Sequence, residues 1–224
     1  MRFLVISDIH GNLEALDKLD EEFKKSDAVL FAGDFAEFGN IPSGKPVLDK
    51  LCNKHDTIFA VTGNCDEPSF VEDIEEKDIS VQKTLAMYEG LAIAGSGGGS
   101  KFTGTTPNER SDEELAGDLN IVTENYDGEW NNLIAIMHNP PKDTKCDMIE
   151  SGVHVGSQSL RDFIEKTKPL AVITGHIHES AAVDKIGNTT VINPGALLEN
   201  HYAIMEVKKE EQGWNVTETI LKTL

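Results

Sequence analysis

Phe3-Leu-Val-Ile-Ser-Asp8-Ile-His10-Gly11-Asn12 is the stretch that decides the fold. A continuous, partly β-branched apolar run that ends in a glycine turn reads as a strand buried on both faces. Such a strand delivers Asp8 and His10 at its carboxyl end, where open α/β sheets place their sites. The two residues are two positions apart, so in extended backbone their side chains point to one side. Alone, Asp-x-His is weak evidence, and a turn after a strand would explain it. The same design then recurs four more times along the chain.

From Asn12 to Lys25, Leu13, Leu16, Leu19 and Phe23 fall at helical spacing, with Asn12 as the N-cap. Ala28 to Ala32 is a second buried strand, ending in Gly33-Asp34. A Gly- and Pro-containing loop over 35–46 leads to a short helix over 47–53. Thr57 to Thr62 is a third strand, ending in Gly63-Asn64-Cys65-Asp66. This alternation implies parallel strands joined by helical crossovers. A short acidic helix follows Glu67, then paired strands over 79–88 and 91–94. Gly95 to Ser100 could be a linker, but it follows a strand and the motifs continue beyond it, so an active-site loop with backbone donors is preferred. A helix is expected over 111–126. Leu133 to Met137 is a strand ending in His138, Ser157 to Lys168 a helix, and Leu170 to Thr174 a strand ending in Gly175-His176-Ile-His178. The tail, over 189–193, 202–208 and 214–220, reads as antiparallel strands with turns at Gly187-Asn188 and Gly213. His154 either contacts substrate or lies on the surface; His55, His201, Trp130 and Trp214 read as structural.

The chain has 224 residues, which suits one domain over 1–224 better than two small ones. Its formal charge of −19, without a basic block, argues against non-specific nucleic-acid binding. A phosphorylated small molecule stays admissible if the site holds a cation. No apolar run reaches a membrane span, and Asp8 and His10 cut short any signal-like segment. Cys52, Cys65 and Cys146 are odd in number and lack Cys-x-x-Cys spacing, which disfavours disulfides and structural zinc. The expected location is cytoplasmic, with a homodimer left open.

Five strand-like runs therefore end in potential metal ligands: Asp8 and His10, Asp34, Asn64, His138, and His176 with His178. Oxygen and imidazole donors without thiolate suit Mn foremost, then Fe, Zn, Ni or Mg. Seven ligands exceed the needs of one ion, so two divalent ions sharing a carboxylate is the natural count, an arrangement that activates water and clamps phosphoryl oxygens.

Asp8-Ile-His10, Gly33-Asp34, Gly63-Asn64-Cys65-Asp66, His138 and Gly175-His176-Ile-His178, in that order, resemble the calcineurin-like metallophosphoesterases. Asn193-Pro-Gly195 and His154-Val-Gly-Ser157 are similar to the smaller bacterial and archaeal members. The resemblance implies a four-layer α/β/β/α sandwich with two mixed sheets and metals at its rim. It assigns Asp8, His10 and His178 to one ion, Asn64, His138 and His176 to the other, and Asp34 as the bridge. It also implies attack of a metal-bridging hydroxide on phosphorus, with Asp34, Asn64, Cys65 and Asp66 as candidate catalytic residues and Asp66 orienting a ligand. Cys65 stands where many members carry a histidine thought to assist the leaving group. A thiol of pKa ~8.5 is the poorer proton donor at neutral pH, so Cys65 either takes part in catalysis or shapes the pocket. The cysteine form resembles a phosphodiesterase subgroup, which implies a small or nucleotide-like phosphodiester as the substrate. The alternatives are a phosphomonoesterase or protein phosphatase, and a non-catalytic metal-binding scaffold.

Overall fold

The computed structural model describes residues 1–124, 126 and 128–224. In chain order its strands are β1 (Arg2–Ile6), β2 (Ala28–Phe31), β3 (Ile58–Ala60), β4 (Leu85–Tyr88), β5 (Leu91–Ser96), β6 (Gly99–Ser100), β7 (Glu109–Arg110), β8 (Leu133–Met137), β9 (Ala171–Ile173), β10 (Ala182–Ile186), β11 (Thr189–Asn193), β12 (His201–Glu210) and β13 (Gly213–Thr223). The helices are α1 (Leu13–Lys18), α2 (Asp20–Lys25), α3 (Gly44–Lys54), α4 (Phe70–Glu76), α5 (Asp112–Gly117), α6 (Asn120–Thr123) and α7 (Gln158–Thr167).

Two mixed sheets result. One has the order β13-β12-β1-β2-β3, the other β10-β11-β9-β8-β5-β4. Strands β1, β2 and β3 run parallel, as do β5, β8, β9 and β11. The alternation of side chains builds the layers. Phe3, Val5 and Leu30 of the first sheet meet Ile93, Ile134, Ile136 and Ile173 of the second in a core between the sheets. Leu4, Ile6, Val29 and Phe31 point the other way, onto Leu16, Leu48 and Ile74 of the first helical layer. Ala92, Ala135 and Val172 likewise back onto Leu115, Leu160 and Ile164 of the second. This is the four-layer α/β/β/α sandwich, and both sheets turn the carboxyl ends of their parallel strands toward one rim.

Several local expectations change. The helix over 12–25 is two helices that meet at Leu19, whose backbone (φ −92°, ψ 6°) leaves the α basin. Leu16, Leu19 and Phe23 are thereby all buried in the same outer core. The expected helix over 111–126 is the pair α5 and α6, the first opened by a Ser111–Glu114 capping box. Its Asn125 lies outside the described residues. Only 85–88 of the expected strand over 79–88 pairs continuously. Asp78 and Lys83 take left-handed φ of 57° and 58°, and single bridges from Ser80 to Ala60 and from Gln82 to Gly95 carry the chain from one sheet to the other. Strand β11 is antiparallel to β10 but parallel to β9, so that part of the tail completes the second sheet.

The core between the sheets is free of exposed surface at its centre. Leu30→Ala, at a site with no exposed surface, is expected to cost ~2–5 kcal/mol in urea unfolding. Ile220→Ala on the outer strand β13, 38% exposed, should stay within ~0.5 kcal/mol.

Candidate metal centre

The rim where the two sheets meet gathers all seven sequence-identified ligand candidates. Asp8 and His10 follow β1, Asp34 follows β2 and Asn64 follows β3; His138 follows β8, and His176 and His178 follow β9. The ligating atoms of Asp8, His10 and His178 lie within 4.8 Å of one another, as do those of Asp8, Asp34 and His138, and those of His10, Asp34 and Cys65. His10 Nε2 and His138 Nε2 each stand 3.5 Å from the same oxygen, Asp34 Oδ2. Asp34 is thus placed between the two groups. His178 Nε2 lies 3.5 Å from Asp8 Oδ1. His176 belongs to none of the three clusters, but its ring sits 5.1 Å from that of His138 and lines the same cavity.

Local backbone explains how these side chains converge. Asp8, His10, Asp34 and His176 all take left-handed φ, from 47° to 68°. For non-glycine residues this costs ~1–3 kcal/mol each and clusters at functional sites. Two glycines make the approach feasible. A Cβ on Gly63 would stand 1.9 Å from Asp34 Oδ1, and one on Gly175 would stand 2.6 Å from Asp8 Oδ2. Cys65 N–H then donates to Asp34 Oδ1 (2.8 Å), and His176 N–H donates to Asp8 Oδ2 (3.1 Å). The Asn193-Pro-Gly195 turn leads into a segment that fastens the end of β1, with Leu197 and Leu198 N–H donating to Ser7 and Asp8 carbonyls.

The hydrogen bonds around the imidazoles fit a cation. His10 Nδ1 lies 3.0 Å from the Ala36 carbonyl and His138 Nδ1 2.7 Å from the Ala32 carbonyl. A carbonyl only accepts, so both rings carry hydrogen on Nδ1 and turn Nε2 inward. Burial pushes His138 and His176 down, the latter to about 4, so both are neutral at physiological pH. His138 Nε2 then faces Asn64 Oδ1 at 2.8 Å, acceptor against acceptor. Lone pairs this close repel unless a positive charge lies beside them, and the residues present therefore fit divalent metal ions. Burial and then the charge of Asp8 push Asp34 up. Burial also works against Asp8, but the His178 hydrogen bond and the neighbouring imidazoles outweigh it and hold that carboxyl below its usual range.

Cys65 lines the cavity, and burial followed by the Asp34 charge pushes its thiol up. It is a weaker proton donor here than an ordinary thiol. Asp66 is 1% exposed and does not reach the cavity. Its oxygens accept from the backbone N–H groups of Gly63 (2.7 Å), Ala36 (2.8 Å), Asp34 (3.1 Å) and Phe35 (3.3 Å), which fixes the loop that presents Asp34. Burial, then Asp34, pushes its pKa up to about 6. The amides expected of the glycine loop are already used. Gly98, Gly99 and Ser100 N–H donate to Thr62 O, Asn108 O and Asn139 Oδ1.

Two loop-holding carboxylates have no signature in the sequence. Glu109 accepts from Phe102, Gly104, Thr105 and Thr106 N–H (2.8–3.4 Å); these bonds, that of Phe102 first, lower its pKa to about 2. Asp147, fully buried, accepts from Thr144 and Gly156 N–H and from His154 Nδ1 (2.7 Å). His154 is thus a loop fastener, and His55 bridges the Thr57 and Ser26 carbonyls. A motif-based reading has no means of finding such isolated carboxylates.

The chain belongs to the calcineurin-like phosphoesterase family, whose model matches residues 1–180. Members of that family hydrolyse phosphate esters with divalent metals. An uncharacterized protein of Methanocaldococcus jannaschii is 32% identical over 217 residues, covering 93% of each chain. Among solved structures, TT1561 of Thermus thermophilus matches 91% of this chain and 93% of its own at a TM-score of 0.69 and 20% identity. A dimetal phosphatase from Danio rerio matches 100% and 98% at 0.59 and 13%. At these identities the two structures speak for the shared fold alone.

His178 gives the centre a pH dependence. Its hydrogen bond to Asp8 raises its pKa to about 9, so at pH 7 the metal-free ring carries a proton that a metal must displace. Apparent Mn²⁺ affinity, measured by titration, is expected to rise about tenfold per pH unit from 6 to 8 on account of this proton and to level off above 9. His178→Ala should flatten the slope by about one.

Proposed function

We propose that the protein is a phosphodiesterase that holds two divalent metal ions, manganese foremost, and cleaves a small, singly charged phosphodiester. One observation carries the choice of diester over monoester. The cavity over the ligands, of about 320 Å³, is walled by residues such as His10, Asn64, His176, Phe38 and Leu198 and contains no lysine or arginine. A phosphomonoester carries about −1.5 to −2 at neutral pH, and a dianion calls for more positive charge than this wall supplies. A diester carries a single negative charge. Cys65, a neutral thiol where an imidazolium could stand, points the same way.

When bound, divalent ions lower the pKa of water and offset charge on phosphoryl oxygens. The chain does the rest by position. Asp34, shared between the two ligand groups, sets their separation, and Cys65 N–H keeps its second oxygen from turning away. The Ala36 and Ala32 carbonyls take the Nδ1 hydrogens of His10 and His138 and so hold both rings with Nε2 turned inward. Asn64, neutral and held against His138, can meet both a metal and a phosphoryl oxygen without adding negative charge. The three cysteines are unpaired, consistent with a reducing, cytoplasmic setting.

The test is turnover of bis-p-nitrophenyl phosphate against p-nitrophenyl phosphate with added Mn²⁺, Mg²⁺, Ni²⁺ or Zn²⁺. Diester hydrolysis should prevail, and Asp34→Asn should lower it by at least about a hundredfold, the upper range for losing even an indirect metal contact. A preference for the monoester would overturn the reading, as would undiminished turnover by the variant.

A further inference from the structure

A second cavity, of about 330 Å³, opens beside the first and shares Asn64, Thr106 and His176 with it. Its remaining wall includes the apolar side chains of Phe102, Ile149, Val155 and Ile177 and the carboxylate of Glu109. Lys101 and Thr103 stand among them. We propose that this cavity seats one arm of the diester, and that the arm is a nucleoside whose flat base packs against Phe102. The proposal rests on the diesterase reading and names the substrate class for that site.

Three observations support it. First, Phe102 is 92% exposed, the most exposed large apolar side chain among the described residues. A ring left in water costs solvation free energy, and here it is held there rather than left loose. The 102–106 loop is tied to Glu109 by four backbone N–H groups and the Thr106 hydroxyl (2.8–3.4 Å). The 143–156 segment that carries Ile149 and Val155 is fastened as well, by Asp147. A phenyl ring and branched aliphatic side chains that line one cavity, on two segments both fastened by carboxylates, suit a flat ring packed against them.

Second, the wall is not purely apolar. Lys101, Ser100 and Thr103 bring an ammonium and hydroxyl groups to the same space. A base and its sugar have polar edges to meet such groups, whereas an alkyl chain has none. Third, the two cavities meet at Asn64 and His176. An ester centred at the ligands can therefore send one arm each way, which a monoester has no second arm to do.

Adenosine 5′-methylphosphate, hexyl methyl phosphate and dimethyl phosphate share a methyl arm and differ in the other, and phosphorus NMR follows their cleavage. With Mn²⁺ the wild-type enzyme should favour the adenosine ester over the other two by at least about tenfold in kcat/KM. Base–aromatic stacking is worth ~1–3 kcal/mol, so Phe102→Ala should cost about 5- to 150-fold on that ester, through KM, and leave dimethyl phosphate unchanged. Phe102→Trp should restore the preference. A hexyl ester that matches the adenosine ester, or equal losses on all three, overturns the proposal. Adenosine itself, with no phosphate and no need of metal, supplies an independent readout. Saturation transfer from protein methyl groups to its base protons should be seen with metal-free wild type and be lost in Phe102→Ala. If that signal is present but no diester is cleaved, the diesterase reading fails while the cavity assignment stands. If diesters are cleaved without discrimination and adenosine gives no signal, the cavity assignment fails alone.

Discussion

Two buried carboxylates, Asp8 and Asp34, approach within 4.8 Å of each other at the ends of adjacent parallel strands, and the rest of the rim answers that approach. Like charges out of water repel strongly: burial and the charge of Asp8 push Asp34 up, while at Asp8 the His178 hydrogen bond and the neighbouring imidazoles outweigh burial. His138 and Asn64 face each other acceptor to acceptor. His178 is tuned toward the charged state. The left-handed backbone at Asp8, His10, Asp34 and His176 adds conformational cost at the same spot. The repulsion between the carboxylates and between the facing lone pairs is relieved by one change, the arrival of positive charge between the side chains. That remedy fits the cluster to divalent metal ions.

The carboxylates of this protein divide by what surrounds them. Asp66, Glu109 and Asp147 are wrapped by backbone N–H groups, and their lone pairs are spent on holding loops. Asp34 keeps one oxygen for Cys65 N–H and turns the other toward His10 and His138. A carboxylate saturated with donors is a fastener, and one left short of donors is a ligand. Asp34 and Asp66 are 32 residues apart and both buried, yet only Asp34 lines the cavity.

The sequence carried the centre more clearly than it carried the scaffold. Asp8, Asp34, Asn64, His138 and His176 each follow a continuous apolar run, and such runs are visible because parallel strands bury both faces. The break at Leu19 was hidden because Leu16, Leu19 and Phe23 satisfy helical spacing whether or not the helix is continuous. The 111–126 segment was over-extended for the same reason. The crossing at Ser80 and Gln82 looked like a strand because its residues pair once with each sheet, and one bridge per sheet leaves the same local pattern as a ladder. Nothing local marks Glu109 or Asp147, since their function depends on which backbone folds over them. Phe102 is equally silent, a lone aromatic in a polar loop until the fold brings Ile149, Val155 and Ile177 to the same cavity.

The distribution of ligands between the sheets has a mechanical consequence. Asp8, His10, Asp34 and Asn64 belong to the first sheet, and His138, His176 and His178 to the second. Each group of convergent atoms that contains a histidine of the second sheet also contains an aspartate of the first. Metal binding therefore clasps the two sheets at their rim, while Phe3, Val5, Ile134 and Ile136 hold them together below. A ligand bound by the folded state alone adds its binding free energy to stability. Here that free energy acts across the sheet–sheet boundary, at the place where apolar packing stops and like charges begin. The core does not have to extend to the rim to keep the rim closed, which leaves the rim free to be polar, strained and open to substrate.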